Sequence, residues 1–371
     1  MLYWFLYPLK DDFSFLRIFG YVSFRAVFAA VTALLIMFFI GPKFIVFLQK
    51  LKFKESVRKD GPQTHAVKAG TPTMGGLMVI TSMTISMLLW GNLSNIYVVT
   101  TILGTILLTM VGFRDDYQKV VLKRAGGMKP KAKLLYQLII AGAFATIVYH
   151  FAYLPKEGSQ VVVSFSKSDL FLPFLKDPFI NLGIIAIPFW MVVVIGSSNA
   201  VNITDGLDGL AIGLSAIVLA ALAIFAYLTG VIGFSNYLLM PFIPEANELS
   251  VFLAAMVGGS IGFLWYNCYP AQVFMGDTGS LSIGGAIGMV AICIKKEVLL
   301  VILGGVFVLE ILSVVLQVGS YKLRNKQRIF KMAPIHHHFE LSDLHENKVV
   351  IRFWISGILL ALISLATLNI T

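Results

Sequence analysis

Apolar residues in this chain run in long unbroken blocks separated by short polar clusters. They do not form the alternating or three-and-four-spaced stripes of half-buried strands and surface helices. A membrane-crossing helix takes about 20 mostly apolar residues. Ten such blocks can be marked, at roughly 22–42, 72–92, 95–113, 133–153, 178–198, 208–230, 250–267, 280–294, 298–319 and 351–369. The eighth is short, and the second contains Gly75 and Gly76, small residues that membrane helices use for close packing. The pattern predicts an all-α polytopic membrane protein with ten transmembrane helices, forming a single integral membrane domain over 1–371. The segment 154–177 between the fourth and fifth blocks is longer than its neighbours. Its Val-Val-Val-Ser-Phe run at 161–165 predicts a small outer hairpin.

Composition agrees. The chain is 58% hydrophobic and 13% charged, with mean hydropathy +0.85, where a soluble domain carries about 25% charged residues. In a soluble protein the net charge of +10 would point to nucleic acid. Here its distribution decides. With the loops numbered in order, the first, third and ninth hold 21 of the 29 lysines and arginines. The positive-inside rule then puts the odd loops in the cytoplasm and both termini outside. The expected surroundings are a lipid bilayer, with no nucleic acid. Arg25, near the outer end of the first block, is expected to snorkel. Cys268 and Cys293 lack disulfide or metal spacing and read as small core residues. The start has no signal-peptide pattern but crowds Tyr3, Trp4, Phe5 and Tyr7, as at a membrane interface.

The polar clusters that can carry chemistry all fall in odd-numbered loops, so residues distant in sequence can meet on one face. Asp115 and Asp116 close the third block, and if the helix continues Lys119 lies one turn beyond Asp115. Adjacent carboxylates can hold Mg²⁺ beside a phosphate, and a lysine can serve that phosphate as a point charge. A solvated helix end is the competing reading. The stretch Asn199 to Gly209 holds Asn202, Asp205 and Asp208 with two glycines and no basic residue. A helix cap accounts for one aspartate but not for the set. Phe274-Met275-Gly276-Asp277-Thr278 places a lone carboxylate between glycines, as a cap or a metal ligand, with Phe274 available to stack on a base. His336, His337 and His338 are consecutive, so they point in different directions and suit phosphate or sugar oxygens better than one zinc site. The run Arg58 to His65, then Lys68 to Gly76 with Thr73, is basic and rich in hydroxyls and glycine, fit for an anion but without P-loop spacing. Glu310, inside the ninth block, is either functional or a buried structural partner. Together the residues point to Mg²⁺-dependent transfer involving a phosphate-bearing lipid.

These motifs together resemble the polyprenyl-phosphate N-acetylhexosamine-1-phosphate transferases. The RKDGPQTH, GTPTMGG and APIHHHFE stretches resemble their phospho-N-acetylmuramoyl-pentapeptide branch. The resemblance runs from about Arg58 to Glu340. It implies transfer of phospho-MurNAc-pentapeptide from UDP-MurNAc-pentapeptide to undecaprenyl phosphate, giving UMP and the first lipid intermediate of peptidoglycan, with Mg²⁺, a cytoplasmic-facing cleft and a homodimer. It also implies Asp277 as the metal ligand and Asp115 and Asp116 at the phosphates. Lys68, Asp208 and Phe274 would lie near the uracil, with Thr73, Asn202, Asp205 and Gly276 along the nucleoside region. His336 and His337 would face the sugar-phosphate or peptide side. Lys119 and Lys131 are the basic groups expected to offset phosphate repulsion. Two routes remain open at this point: direct attack by the lipid phosphate, or an aspartyl intermediate. A sister UDP-N-acetylglucosamine transferase shares the aspartate motifs. A transporter would place its polar groups at mid-membrane depth.

Overall fold

The computed structural model describes residues 2–50, 70–124, 126–155 and 161–369. Ten helices carry the architecture: α1 (Val22–Lys50), α2 (Gly76–Trp90), α3 (Ile96–Val120), α4 (Pro130–Phe151), α5 (Ala186–Thr204), α6 (Leu210–Thr229), α7 (Leu249–Asn267), α8 (Gly276–Cys293), α9 (Gly305–Leu323) and α10 (Glu346–Ala366). Among the described residues, all but α2 are long and apolar enough to cross a membrane, α5 and α7 each with a short 3-10 lead-in. The 15 residues of α2 rise only about 22 Å, against a hydrocarbon core of about 30 Å.

The entries into the helices follow from local chemistry. The Asn95 side chain accepts from the Val98 N–H at 3.1 Å to cap α3. Pro130, lacking an N–H, occupies the first position of α4, where no intrahelical bond is lost. Helix α8 is the hub. It is almost wholly buried and packs on α3 and α5, with α2 and α6 beside it. Gly112 makes the α3 contact possible, because a Cβ there would sit 2.2 Å from the Asp277 carbonyl oxygen.

Three expectations need correction. Arg25 does not snorkel. It is 1% exposed, its guanidinium forms a bidentate pair with Glu248 at 2.6 and 2.8 Å, and it lies over the Tyr3 ring. A planar guanidinium whose charge is met by two parallel bonds to one carboxylate loses its reason to reach for water. The hairpin pairs Asp169–Leu170 with Ile180–Asn181, not the valine run. Cys268, just past α7, is exposed, while Cys293 is buried.

The helix ends also differ from the apolar blocks. Helix α1 continues through Pro42 to Lys50, α3 through both aspartates to Val120, α5 through Asn202 to Thr204, and α8 begins at Gly276. Asp115, Asp116, Lys119, Asn202 and Asp277 are therefore helical, not loop residues. Hydropathy marks where side chains turn polar, whereas the backbone ladder continues while its own bonds are satisfied.

Candidate active site

Because successive long helices alternate in direction, the C-terminal ends of α3 and α5 and the N-terminal ends of α4 and α8 meet at one end of the bundle. Their polar residues form one connected group. Asp277, in the first turn of α8, accepts from Lys119 Nζ at 3.0 Å and Lys133 Nζ at 2.8 Å on Oδ2, and from Asn202 Nδ2 at 2.8 Å on Oδ1. Asn202 Nδ2 also donates to Ser280 Oγ at 2.8 Å. Lys119 reaches back one turn to Asp115 Oδ2 at 2.6 Å, as the helical spacing predicts, and the other oxygen of Asp115 accepts the Met128 N–H at 2.6 Å.

Asp116 differs from its neighbour. It is 3% exposed, and both its oxygens serve the start of α8. Oδ1 accepts from the Asp277 N–H at 3.1 Å, and Oδ2 accepts from the Thr278 N–H at 2.9 Å and Thr278 Oγ1 at 2.6 Å. Asp116 thus caps α8 from another helix, where free N–H groups and the helix dipole favour negative charge. Gly276 adopts φ +72°, and a Cβ there would lie 2.7 Å from Asp116 Oδ2 and 2.9 Å from Thr73 Oγ1, so glycine is required on both counts.

Ligand atoms of Asp115, Asp116 and Asp277 lie within 4.8 Å of one another, the group able to hold a metal among the described residues. The donors are all carboxylate oxygens, which suits a hard divalent cation and not zinc. The ammonium groups of Lys119 and Lys133 now offset much of that negative charge.

The other predicted residues surround this group or stand apart from it. Thr73 is buried beside Gly276. Phe274 is half-buried, and its backbone pairs with Pro72 and Gly75, tying the start of α2 to that of α8. Asp208 is buried and accepts the Ala271 N–H at 3.0 Å, and Asp205 lies half-buried in the same turn. His336 is 1% exposed, with Nδ1 3.1 Å from Glu310 Oε2, and its ring lies against Gly206. His337 pairs with Glu340 at 2.7 Å and His338 accepts from the Lys331 N–H at 3.1 Å. The three histidines thus go three ways. Glu310 finds its partner in His336 rather than in the bilayer. Lys68 and the Arg58 to His65 run lie outside the described residues.

Lys131 is exposed at the start of α4, while Lys133, not singled out from sequence, reaches Asp277. Residues two positions apart on a helix are about 200° apart around its axis, so only one of the pair can face the cluster. Thr278, named in the motif around Asp277 without a role of its own, supplies the hydroxyl that holds Asp116.

Comparison with known proteins identifies the family. The model for glycosyl transferase family 4 matches residues 98–295, which include Asp115, Asp116, Lys133, Asn202 and Asp277. The chain is 55% identical over 370 residues to a phospho-N-acetylmuramoyl-pentapeptide-transferase of Leptospira biflexa, covering 100% of both chains. It is 50% and 49% identical to proteins of that name from Pelobacter propionicus and Citrifermentans bemidjiense, covering 100% of this chain and 99% of each relative. On motif and full-length identity alike, the chain belongs to the phospho-N-acetylmuramoyl-pentapeptide-transferase family.

Proposed function

We propose that the protein transfers phospho-MurNAc-pentapeptide from UDP-MurNAc-pentapeptide to undecaprenyl phosphate, forming the first lipid intermediate of peptidoglycan and UMP. The observation that carries this reading is the convergence of Lys119, Lys133 and Asn202 on Asp277 beside Asp115 and Asp116. Joining two anions is the difficult part of this reaction, and this group has both the charge to offset their repulsion and the carboxylates to hold a cation.

The acceptor phosphate, with a second pKa of about 6, is largely dianionic at neutral pH and needs little help from a base. We favour direct attack. A lipid phosphate oxygen bonds to the β-phosphorus of the donor, the bond from that phosphorus to the oxygen bridging to the α-phosphate breaks, and UMP leaves with the electron pair. Lys119 and Lys133 swing from Asp277 onto phosphate oxygens, as point charges that meet the developing negative charge. Asp115 orients the acceptor and takes any residual proton. Mg²⁺, when held by Asp277 with Asp115, supplies further charge neutralisation at the phosphates. Asp205, Asp208, Thr73, Phe274 and Lys68 take the nucleoside side, and His336 and His337 the sugar-peptide side.

The same reading takes α2 as a tenth crossing. Both termini then lie outside, and the site faces the cytoplasm, where the lysine- and arginine-rich loops belong. A short α2 suits this arrangement, since its first turn lies at the site instead of at the headgroups.

The test is purified protein with undecaprenyl phosphate and Mg²⁺, given either the muramoyl donor or UDP-N-acetylglucosamine. UMP and lipid-linked sugar are expected from the muramoyl donor alone, and lost with EDTA. Product from the other donor alone would overturn the substrate. The lysine assignment is tested separately. Lys133→Met should lower kcat by about 10²-fold, the scale of removing one charge-stabilising donor. Lys131→Met should act mainly on KM. Equal kcat losses in the two variants would count against the assignment.

A further inference from the structure

Deeper in the bundle than the group around Asp277, helices α4, α5 and α8 are joined a second time. Gln137, one turn along α4 from Lys133, is 2% exposed. Its Nε2 donates to Ser198 Oγ on α5 at 3.2 Å, and its Oε1 accepts from Asn199 Nδ2, also on α5, at 3.1 Å. Ser198 Oγ in turn donates to the Leu281 carbonyl on α8 at 2.9 Å. Leu281 lies one turn past Asp277, and Ser198 and Asn199 lie one turn before Asn202. Each of the three helices therefore gives a polar group to the outer tier, Lys133, Asn202 and Asp277, and another to this inner tier.

Inside a membrane-crossing bundle a buried side-chain amide is costly unless paired, and an apolar residue would fill the space as well. Gln137 is the polar member of the buried face of α4, whose others are Ile140, Ala141, Phe144, Ala145 and Val148. Its partners have bonds without it. Asn199 Nδ2 also donates to the Ile195 carbonyl of its own helix at 2.8 Å, and Ser198 already reaches α8. What the amide adds is a fixed orientation for α4. That helix packs on α3 and α5 and leaves Leu134, Leu135, Leu138 and Ile139 exposed on its outer face. Apolar contacts are non-directional, whereas two hydrogen bonds to a planar amide select one rotation.

We propose that Gln137 is a positioning residue that sets the rotation of α4 and so aims Lys133 at the reacting phosphates, a role that rests on the reaction proposed above. Positions 133 and 137 are about 40° apart around the helix, so both face α5 and α8. A side-chain atom about 5–6 Å from the axis moves about 1 Å for each 10° of rotation. Lys133, 16% exposed with Nζ 2.8 Å from Asp277, would be carried off its line by a small turn of α4. Its flexible stem absorbs part of that turn, so losing the amide should hurt less than losing the ammonium itself.

Gln137→Met in the full-length protein keeps the bulk and removes both hydrogen bonds. It should lower kcat for UMP release from the muramoyl donor about tenfold, short of the roughly 10²-fold cost of a 1 Å misplacement, with KM for the donor little changed. In a Lys133→Met background it should lower kcat no further, whereas in a Lys131→Met background the same loss of about tenfold should recur, since only residues that act through one another depart from additivity. Labelling of lysines with an amine-reactive ester, read by mass spectrometry, does not depend on the reaction. Lys133 should label faster in Gln137→Met, measured against Lys131, which is exposed already. If Gln137→Met fails to fold, Asn199→Ala, which removes the donor to Gln137 Oε1, takes its place in both measurements. Unchanged Lys133 labelling, or a kcat loss that carries over in full to the Lys133→Met background, would overturn the role. Faster Lys133 labelling in a protein that releases no UMP from this donor would uphold the positioning and fault the proposed reaction.

Discussion

Asp277→Asn should reduce turnover by about 10³-fold or more, the upper range for losing one preorganised electrostatic group. The substitution nearly preserves shape. Asn202 can keep its contact at Oδ1, 2.8 Å away, and the backbone start of α8 is untouched. What is lost is the charge on which Lys119 and Lys133 converge at 3.0 and 2.8 Å. Without it the two ammonium groups face an amide and are no longer held together at the site. The carboxylate expected to ligate Mg²⁺ disappears with it. UMP release from the muramoyl donor at saturating Mg²⁺ measures the effect. Activity near that of the unmodified protein would remove Asp277 from the metal role and leave it as an anchor for lysines. An accumulating covalent sugar-phosphate without the lipid acceptor would instead refute direct attack.

Much of this site could be read from sequence because its members sit in dense polar motifs between apolar blocks. Asp115 and Lys119 one turn apart, and Asp277 between glycines, need no tertiary information to be noticed. The helical positions of the chemistry were less legible. Residues such as Asn202 and Asp116 look like loop residues by hydropathy, yet each lies on a helix that outlasts its apolar block. Partners far apart in sequence were not legible at all. Arg25 and Glu248 are 223 residues apart, so nothing local distinguishes a snorkelling arginine from one locked in a bidentate pair. Lys131 and Lys133 are equivalent in composition, and only the rotation of α4 against α8 selects between them.

Asp116→Asn should separate the roles of the two adjacent aspartates. As a carboxylate, Asp116 accepts three hydrogen bonds from the start of α8, two of them on Oδ2. An amide keeps one acceptor oxygen and turns the other position into a donor. With the oxygen toward Thr278, the Asp277 N–H meets an NH₂ group. Turned the other way, the Thr278 N–H loses its acceptor. Either way a buried donor goes unpaired, at a cost of about 1–3 kcal/mol, and the favourable charge at the helix start is lost as well. The first turn of α8 should loosen and carry Asp277 with it. A displacement of about 1 Å at a reacting centre can cost about 10²-fold in rate. The variant should therefore show a lower thermal midpoint together with a kcat lower by about that factor, with the Mg²⁺ concentration for half-maximal activity little changed. If the thermal midpoint holds and that Mg²⁺ concentration climbs steeply, Asp116 binds the cation directly. The cap would then be only its resting contact in the absence of metal.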